Sequence, residues 1–401
     1  MVKVLVINAG SSSLKYQLLD MTTETVIAKG ICERIGGEGS KLEFEFGDEK
    51  RVREVPMRNH TDAFRVVTKA LTQGEGKVLE SLNEIDAAGH RVVQGGPNLR
   101  HTCFVTPEVL AEIEDLCELA PLHNPAHVQA INACTAVLGP DFPQALVFDT
   151  AFHSTMPPEA YIFPLPYEYY EKYKLRRYGF HGTSHQFVSA RCAEVMGRDI
   201  SELKIITCHL GNGSSITAVK YGKVIDTSMG LTPLDGFLMG TRCGGVDPSA
   251  VLFLQKKEGW DPDQTSDILN KKSGALGVSG IGSDDRDLIA AAAAGSERAA
   301  LSRRIQQYQV RKFIGSYAAA MDGVDAIVFT GGIGENTKDL RANVCQNLTY
   351  LGVAFDAAAN EEFIRGREGE ISTPASKVRV FVLPTNEELL IARQTRDLLR
   401  K

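Results

Sequence analysis

The sequence predicts an α/β protein built from two copies of one β-β-β-α-β-α-β unit facing each other across a cleft. Three observations carry that expectation. One Gly/Ser hairpin is written twice, as VLVINAGSSSLKYQLL at residues 4–19 and IITCHLGNGSSITAV at residues 205–219. Each copy is followed by a third short β-rich run, TVIAKG at 25–30 and KVIDTS at 223–228. Each half then holds an apolar run that ends in a Gly-Gly turn, DAAGHRVVQGG at 86–96 and DAIVFTGGIGE at 325–335. Strand-end loops collect on one side of such sheets, so two copies would present their loops to a shared cleft.

The elements follow in order. The opening hairpin turns after Asn8, and residues 38–56, with KLEFEFGDEKRVREV, read as an exposed hairpin. HTDAFRVVTKAL (60–71) has helical spacing behind a Thr/Asp cap, and NPAHVQAINACTAVL (124–138) has Pro inside its first turn. QALVFDTAFH closes the first half on a strand that presents Asp149, and SHQFVSARCAEVM (184–196) reads as a Ser-initiated helix. The stretch 288–323 reads as two long helices, and VRVFVLPTNEEL presents Glu387 after the last strand. The closing segment 386–401 is an amphipathic helix with a basic last turn, which suits its dipole. The repeat sets domains at 1–150 and 151–386, with helix 387–401 joining the first.

Composition bounds the chemistry. The 401 residues suffice for two ordinary domains, and 43% hydrophobic with 23% charged residues describes a globular chain. A net charge of −6 argues against nucleic-acid or anionic-membrane partners, so any anion must be held by a local site. No targeting segment opens the sequence, and no run is long and apolar enough to span a bilayer. The eight cysteines show neither C-x-x-C pairs nor metal-like spacing and read as reduced thiols of a cytoplasmic protein.

In the hairpins, Gly10, Gly211 and Gly213 let backbone N–H groups approach an anion, while Ser11, Ser12, Ser13, Ser214 and Ser215 add hydroxyl donors. A nucleotide polyphosphate held between the hairpins is the expected ligand. Lys15 shares a strand face with Ser11 and Ser13 and is a phosphate contact. Basic residues beside glycine make an anion clamp: Arg91, His123, His181 and Arg242. The forks of Arg91 and Arg242 match carboxylate or phosphate oxygens. Asn8, Asp149 and Glu387 are hard oxygen donors suited to Mg²⁺, directly or through its waters.

INAGSSSLK, YGFHGTSH, HLGNGSS, MGTRCGGVDP, GGIGEN and TNEEL, in this order, resemble the acetokinase family, within the acetate and sugar kinase, heat-shock ATPase and actin group. The resemblance runs from residue 2 to about residue 400. It implies duplicated ribonuclease H-like domains in an actin-like ATPase fold, the second binding nucleotide and forming a dimer. It implies reversible transfer from ATP to acetate, giving ADP and acetyl phosphate for acetyl-CoA biosynthesis, with Mg²⁺ (or Mn²⁺) in a homodimer. By motif, Asn8 and Glu387 would lie at the metal, and Lys15 with Ser11 and Ser13 at ATP. Arg91 and Arg242 would hold substrate and phosphoryl oxygens, Asp149 would be catalytic, and His181 would stabilise the transition state. His209, Leu210, Gly211, Asn212 and Gly213 would line the nucleotide site. Asp284, Asp285 and Arg286 would do the same, as would Gly332, Ile333, Gly334, Glu335 and Asn336. Val93, Leu122, Phe180 and Pro233 would surround the acetate methyl, with His123 beside them.

Acetate is already ionised at neutral pH, so Asp149 is expected to organise Mg²⁺ and arginines rather than act as a strong base. Three other readings are weighed against this one. A propionate or butyrate kinase differs by methylenes that shift discrimination by only about 1–3 kcal/mol each. A conformational ATPase would leave the Arg/His clamp without a purpose, and pyrophosphate in place of ATP would leave GGIGEN without one.

Overall fold

The computed structural model describes every residue except 1, 48 and 75. The chain divides into two compact units, one comprising residues up to Ala151 with Asn386–Lys401, the other Phe152–Thr385.

The first unit is an eight-stranded mixed sheet: β1 (Lys3–Gly10), β2 (Ser13–Asp20), β3 (Thr25–Glu33), β4 (Lys41–Phe46), β5 (Glu49–Glu54), β6 (Ala87–Val92), β7 (Cys103–Phe104) and β8 (Gln144–Phe148). Their order is β5-β4-β3-β2-β1-β6-β8-β7. β1 pairs antiparallel with β2 and parallel with β6, which pairs parallel with β8. The unbroken apolar run of β1 follows from its central place, since a strand covered on both faces has no polar side to show. Leu5 and Ile7 pack with Phe64 and Val67 of helix His60–Thr72 and Ala130 of helix Asn124–Leu138. Val4 and Val6 face the other way, onto Ile391 and Ala392 of helix Glu387–Leu399. That last helix lies so close to β6 that a Cβ on Gly89 would sit 2.4 Å from Thr395 Oγ1.

The second unit repeats the plan with β9 (Lys204–His209), β10 (Ser215–Lys220), β11 (Lys223–Thr227), β12 (Ala326–Thr330), β13 (Gly369–Glu370) and β14 (Arg379–Val382). The order β11-β10-β9-β12-β14 is that of β3-β2-β1-β6-β8, with β13 added at the edge. Ile206 and Cys208 pack on Val310 and Ile314 of helix Glu297–Met321, while Ile205 packs on Val188 and Cys192 of helix Gly182–Met196.

Local departures from the sequence reading have physical causes. Helix His60–Thr72 is capped by Asn59, whose side chain accepts from Asp62 N–H, rather than by the Thr/Asp pair. Helix Gly182–Met196 starts two residues before Ser184, from His181 in the left-handed region at φ 59°. The 288–323 stretch gives one short helix, Asp285–Ala293, and one long one, because Gly295 breaks the pattern at φ +96°. The 38–56 hairpin forms as β4 and β5, with residue 48 outside the described residues. It is exposed on β5, but Leu42 and Phe44 of β4 are buried in the core. Gly331 and Gly332 do not make a simple turn after β12; they open a short helix, Gly331–Asn336. Glu387 stands after the last strand, in the first turn of the closing helix, as the reading of 386–401 has it.

Candidate active site

In the first unit, adjacent parallel strands bring a basic and an acidic group together. Arg91 lies opposite Val147 in the β6–β8 register, and Asp149 follows β8 with its N–H bonded to Val92 O at 2.9 Å. The guanidinium then meets the carboxylate through two bonds, Nε to Oδ1 at 3.1 Å and Nη2 to Oδ2 at 2.6 Å. Glu387 Oε2 stands 3.9 Å from Arg91 Nε. Asp149 is fully buried, while Arg91 and Glu387 are partly exposed. Burial works to lower the Arg91 pKa, but Asp149 and Glu387 outweigh it and raise the value above the usual arginine range.

Beneath this pair lie side chains that the sequence reading missed. Asn124 Oδ1 accepts from Gln94 N–H at 3.2 Å and its Nδ2 donates to Gln94 O at 3.1 Å, clasping the loop after β6. His127 Nδ1 accepts from Val93 N–H at 3.4 Å. Burial, with Arg91, His123 and His90 adding positive charge, lowers the His127 pKa to about 3. The ring is therefore neutral and serves as a prop. Val93 is buried on that prop, whereas Leu122 is exposed; His123 stands at the start of helix Asn124–Leu138. The sequence signal available for both missed residues was helical spacing behind Pro125, which also fits plain core packing.

The first hairpin is braced by His60, whose Nε2 lies 2.8 Å from Gly10 O. Asn8 and Lys15 are direct cross-strand partners and line a cavity of about 280 Å³ with Lys29, Glu43 and Glu388. Ser11 and Lys15 are exposed and Ser13 is partly buried. The donor set Asn8, Asp149 and Glu387 suits a hard cation in its chemistry. Both Asp149 oxygens are engaged by Arg91, which favours contact through metal-bound water.

In the second unit, the loop after β9 and the Gly331–Asn336 helix form one body. Leu210 N–H donates to Thr330 O at 2.8 Å, and Leu210 O accepts from Ile333 and Gly334 N–H at 2.8 and 3.1 Å. Gly331 sits at φ +78° with no room for a Cβ, which would fall 2.7 Å from Leu210 O. Glu335 turns back to accept from Gly331 N–H at 2.9 Å, and Asn336 Nδ2 donates to Gly332 O at 2.9 Å. Arg341, fully buried and also missed from the sequence, holds the carbonyls of Gly334 and Glu335 at 2.9 and 2.6 Å. Burial lowers its pKa to about 10. Asp285 faces inward to Thr337 Oγ1 at 2.7 Å and Arg303 Nε at 3.4 Å. Asp284 caps its helix and pairs with exposed Arg286, which holds its carboxyl at about 2.

Two side chains converge at Gly213. A Cβ built there would lie 3.2 Å from Arg242 Nη1 and 3.5 Å from His181 Nε2. The His181 ring stacks on His209, centroids 4.2 Å apart. Arg242 donates to Pro233 O at 3.3 Å, Pro233 being half-buried, and pairs with no carboxylate among the described residues. Burial alone lowers its pKa. Asn212 O accepts from Gly240 N–H at 3.1 Å, which ties this hairpin to the loop carrying Arg242. Phe180 is buried, and its carbonyl accepts from Ser215 Oγ at 3.1 Å. Of the residues expected to surround the acyl group, Val93 and Leu122 belong to the first unit and Phe180 and Pro233 to the second.

Comparison with known proteins gives a consistent result. The family model described as the acetokinase family matches residues 3–393. The acetate kinase of Thermotoga maritima is 55% identical over 100% of this chain and 99% of its own. The solved Porphyromonas gingivalis acetate kinase superposes with a TM-score of 0.95 at 47% identity, covering 100% of both chains. A propionate kinase from Francisella tularensis superposes with a TM-score of 0.92 at 40% identity, covering 99% of this chain and 100% of its own.

Proposed function

The chain belongs to the acetokinase family, and we propose that it transfers the γ-phosphoryl group of ATP directly and reversibly to acetate, giving acetyl phosphate and ADP. The observation that carries this reading is Arg242, a half-buried cation without a carboxylate, facing His181 across Gly213. Burying a charge without a counter-ion is costly, and an anionic ligand would offset that cost. Acetate needs no proton removed at neutral pH; it needs cover from like-charge repulsion as it meets a phosphoryl group. Arg242 and Arg91 hold the oxygens in line, and His181 adds a donor where charge builds. Asp149 orients Arg91.

The carboxylates of Asp149 and Glu387 with Asn8 fit Mg²⁺, or Mn²⁺ in its place, held largely through water. That ion would supply neutralisation of phosphate charge when bound. His209–Gly213, Gly332–Asn336 and Asp284–Arg286 would line the nucleotide site, with Lys15, Ser11 and Ser13 toward the phosphates. Val93, Leu122, His123, Phe180 and Pro233 border the acyl group.

The second reading is a kinase for propionate, supported by the likeness to the Francisella protein and by the modest size of Val93. We also read the enzyme as a cytoplasmic homodimer. No described helix is long and apolar enough to cross a membrane, and exposed Leu252 and Phe253 on helix Pro248–Glu258 offer apolar surface to a second copy. A hydroxamate trap for acyl phosphate, run with formate, acetate, propionate and butyrate against ATP and pyrophosphate, tests the assignment. The expected result is acetate- and ATP-dependent trapping; product with pyrophosphate but not ATP would overturn it.

A further inference from the structure

Behind His181 lies a buried chain of hydroxyls and imidazoles in which one arrangement of protons turns every contact into a hydrogen bond. Ser215 Oγ has three neighbours: Phe180 O at 3.1 Å, His181 Nδ1 at 2.7 Å and His185 Nε2 at 2.7 Å. A hydroxyl carries one proton and two lone pairs. The Phe180 carbonyl can only accept, so the Ser215 proton goes there. Both imidazole nitrogens must then donate to Ser215.

The far end of the chain agrees. His185 is fully buried, and burial, reinforced by His153 and His209, holds its pKa well below the usual value, so the ring is neutral with a single proton. With that proton on Nε2, its Nδ1 must accept, and Thr207 Oγ1 lies 2.7 Å away to donate. The other acceptor near Thr207, Thr217 O, is at 3.5 Å and competes poorly.

We propose that Ser215, backed by His185 and Thr207, is a positioning residue that fixes the His181 proton on Nδ1, so that Nε2 donates a hydrogen bond only as imidazolium. The inference rests on the reading above that His181 Nε2 faces the reacting group. In the neutral ring Nε2 carries only a lone pair and can act only as an acceptor. In the charged ring it becomes a donor with no change at Nδ1. The groups facing that charge are Arg242, the stacked His209 ring and His185, whose centroid is 6.5 Å away. Arg242, being cationic, opposes it, so an arriving phosphoryl anion would be what draws the proton on.

Nitrogen-15 NMR of the intact protein labelled in histidine tests the tautomer without reference to activity. The His181 resonances, assigned with a His181→Asn variant, should show a protonated Nδ1 and a bare Nε2 in the neutral ring. A neutral ring protonated on Nε2 would overturn the proposal even if the kinase assignment stands. The kinetic test is the pH profile of kcat in the direction of acetyl phosphate synthesis. The wild-type rate should fall at alkaline pH as the imidazolium is lost. In Ser215→Ala the ring is released to the Nε2–H tautomer, so the peak rate should drop while the alkaline fall shrinks at least threefold. The near-isosteric Thr207→Val should move the profile the same way by less. Profiles of unchanged shape, scaled down uniformly in both variants, would mean that Ser215 merely supports packing.

Discussion

Two arginines serve one proposed reaction from opposite electrostatic starting points. Arg91 is matched by a bidentate carboxylate and a second acid at 3.9 Å, whereas among the described residues Arg242 has the Pro233 carbonyl and no carboxylate. The first contributes to the folded state before any ligand arrives; the second is a cost carried until one does. An arginine that already has its carboxylate is positioned by the fold, and one without is positioned for the ligand.

Four experiments would break or sharpen that contrast. The largest effect belongs to Arg242→Ala, which should lower turnover by more than about 10²-fold because it removes charge facing a developing anion. Its melting temperature should hold or rise, since the loss relieves an uncompensated buried cation; a folded variant with near-normal turnover would remove Arg242 from the mechanism. Arg91→Ala should match that loss of turnover and also cost about 3–5 kcal/mol in stability, because Asp149 is left buried without its partner. Adding Asp149→Ala should return much of the stability and none of the turnover. Equal stability losses in the two single arginine variants, read from denaturant midpoints, would erase the distinction.

The third effect is on acid stability. Burial is the main cause lowering His90 to about 4 and His127 to about 3, so the unfolded chain binds more protons below the ordinary value of 6.5. Stability of the first unit should therefore be full above about 6.5 and decline as pH falls toward 4. His90→Gln should flatten the slope of urea midpoint against pH; an unchanged slope would show that His90 titrates normally. The smallest effect is on specificity. Val93→Ala opens space beside the acyl site, and each newly buried methylene is worth about 0.8 kcal/mol, so propionate should gain on acetate by a few-fold. An unchanged ratio of specificity constants in a destabilised protein would assign Val93 to the core alone.

Much of this was legible in the sequence because it repeats. Two hairpins, two third strands and two Gly-Gly runs give the same five-strand order in both units. Residues that meet through neighbouring strands, such as Arg91 and Asp149, could be anticipated from their places in the pattern. Residues acting through long-range side-chain contacts could not. Asn124 grips Gln94, Arg341 grips the end of the Gly331–Asn336 helix, and nothing local distinguishes them from an ordinary helix start and a surface arginine. The Gly-Gly pair after β12 misled for a related reason. Only the approach of Leu210 O shows that Gly331 begins a helix there.

The helix Glu387–Leu399 that covers Val4 and Val6 is synthesised after the whole of the second unit. During translation the sheet that emerges first must wait with one face bare, for on the order of 10–50 s at ordinary elongation rates. The nascent first unit is thus the stage most exposed to chaperones, proteases and aggregation. Completing it late also means that Glu387 joins Arg91 and Asp149 only once the second unit has been made.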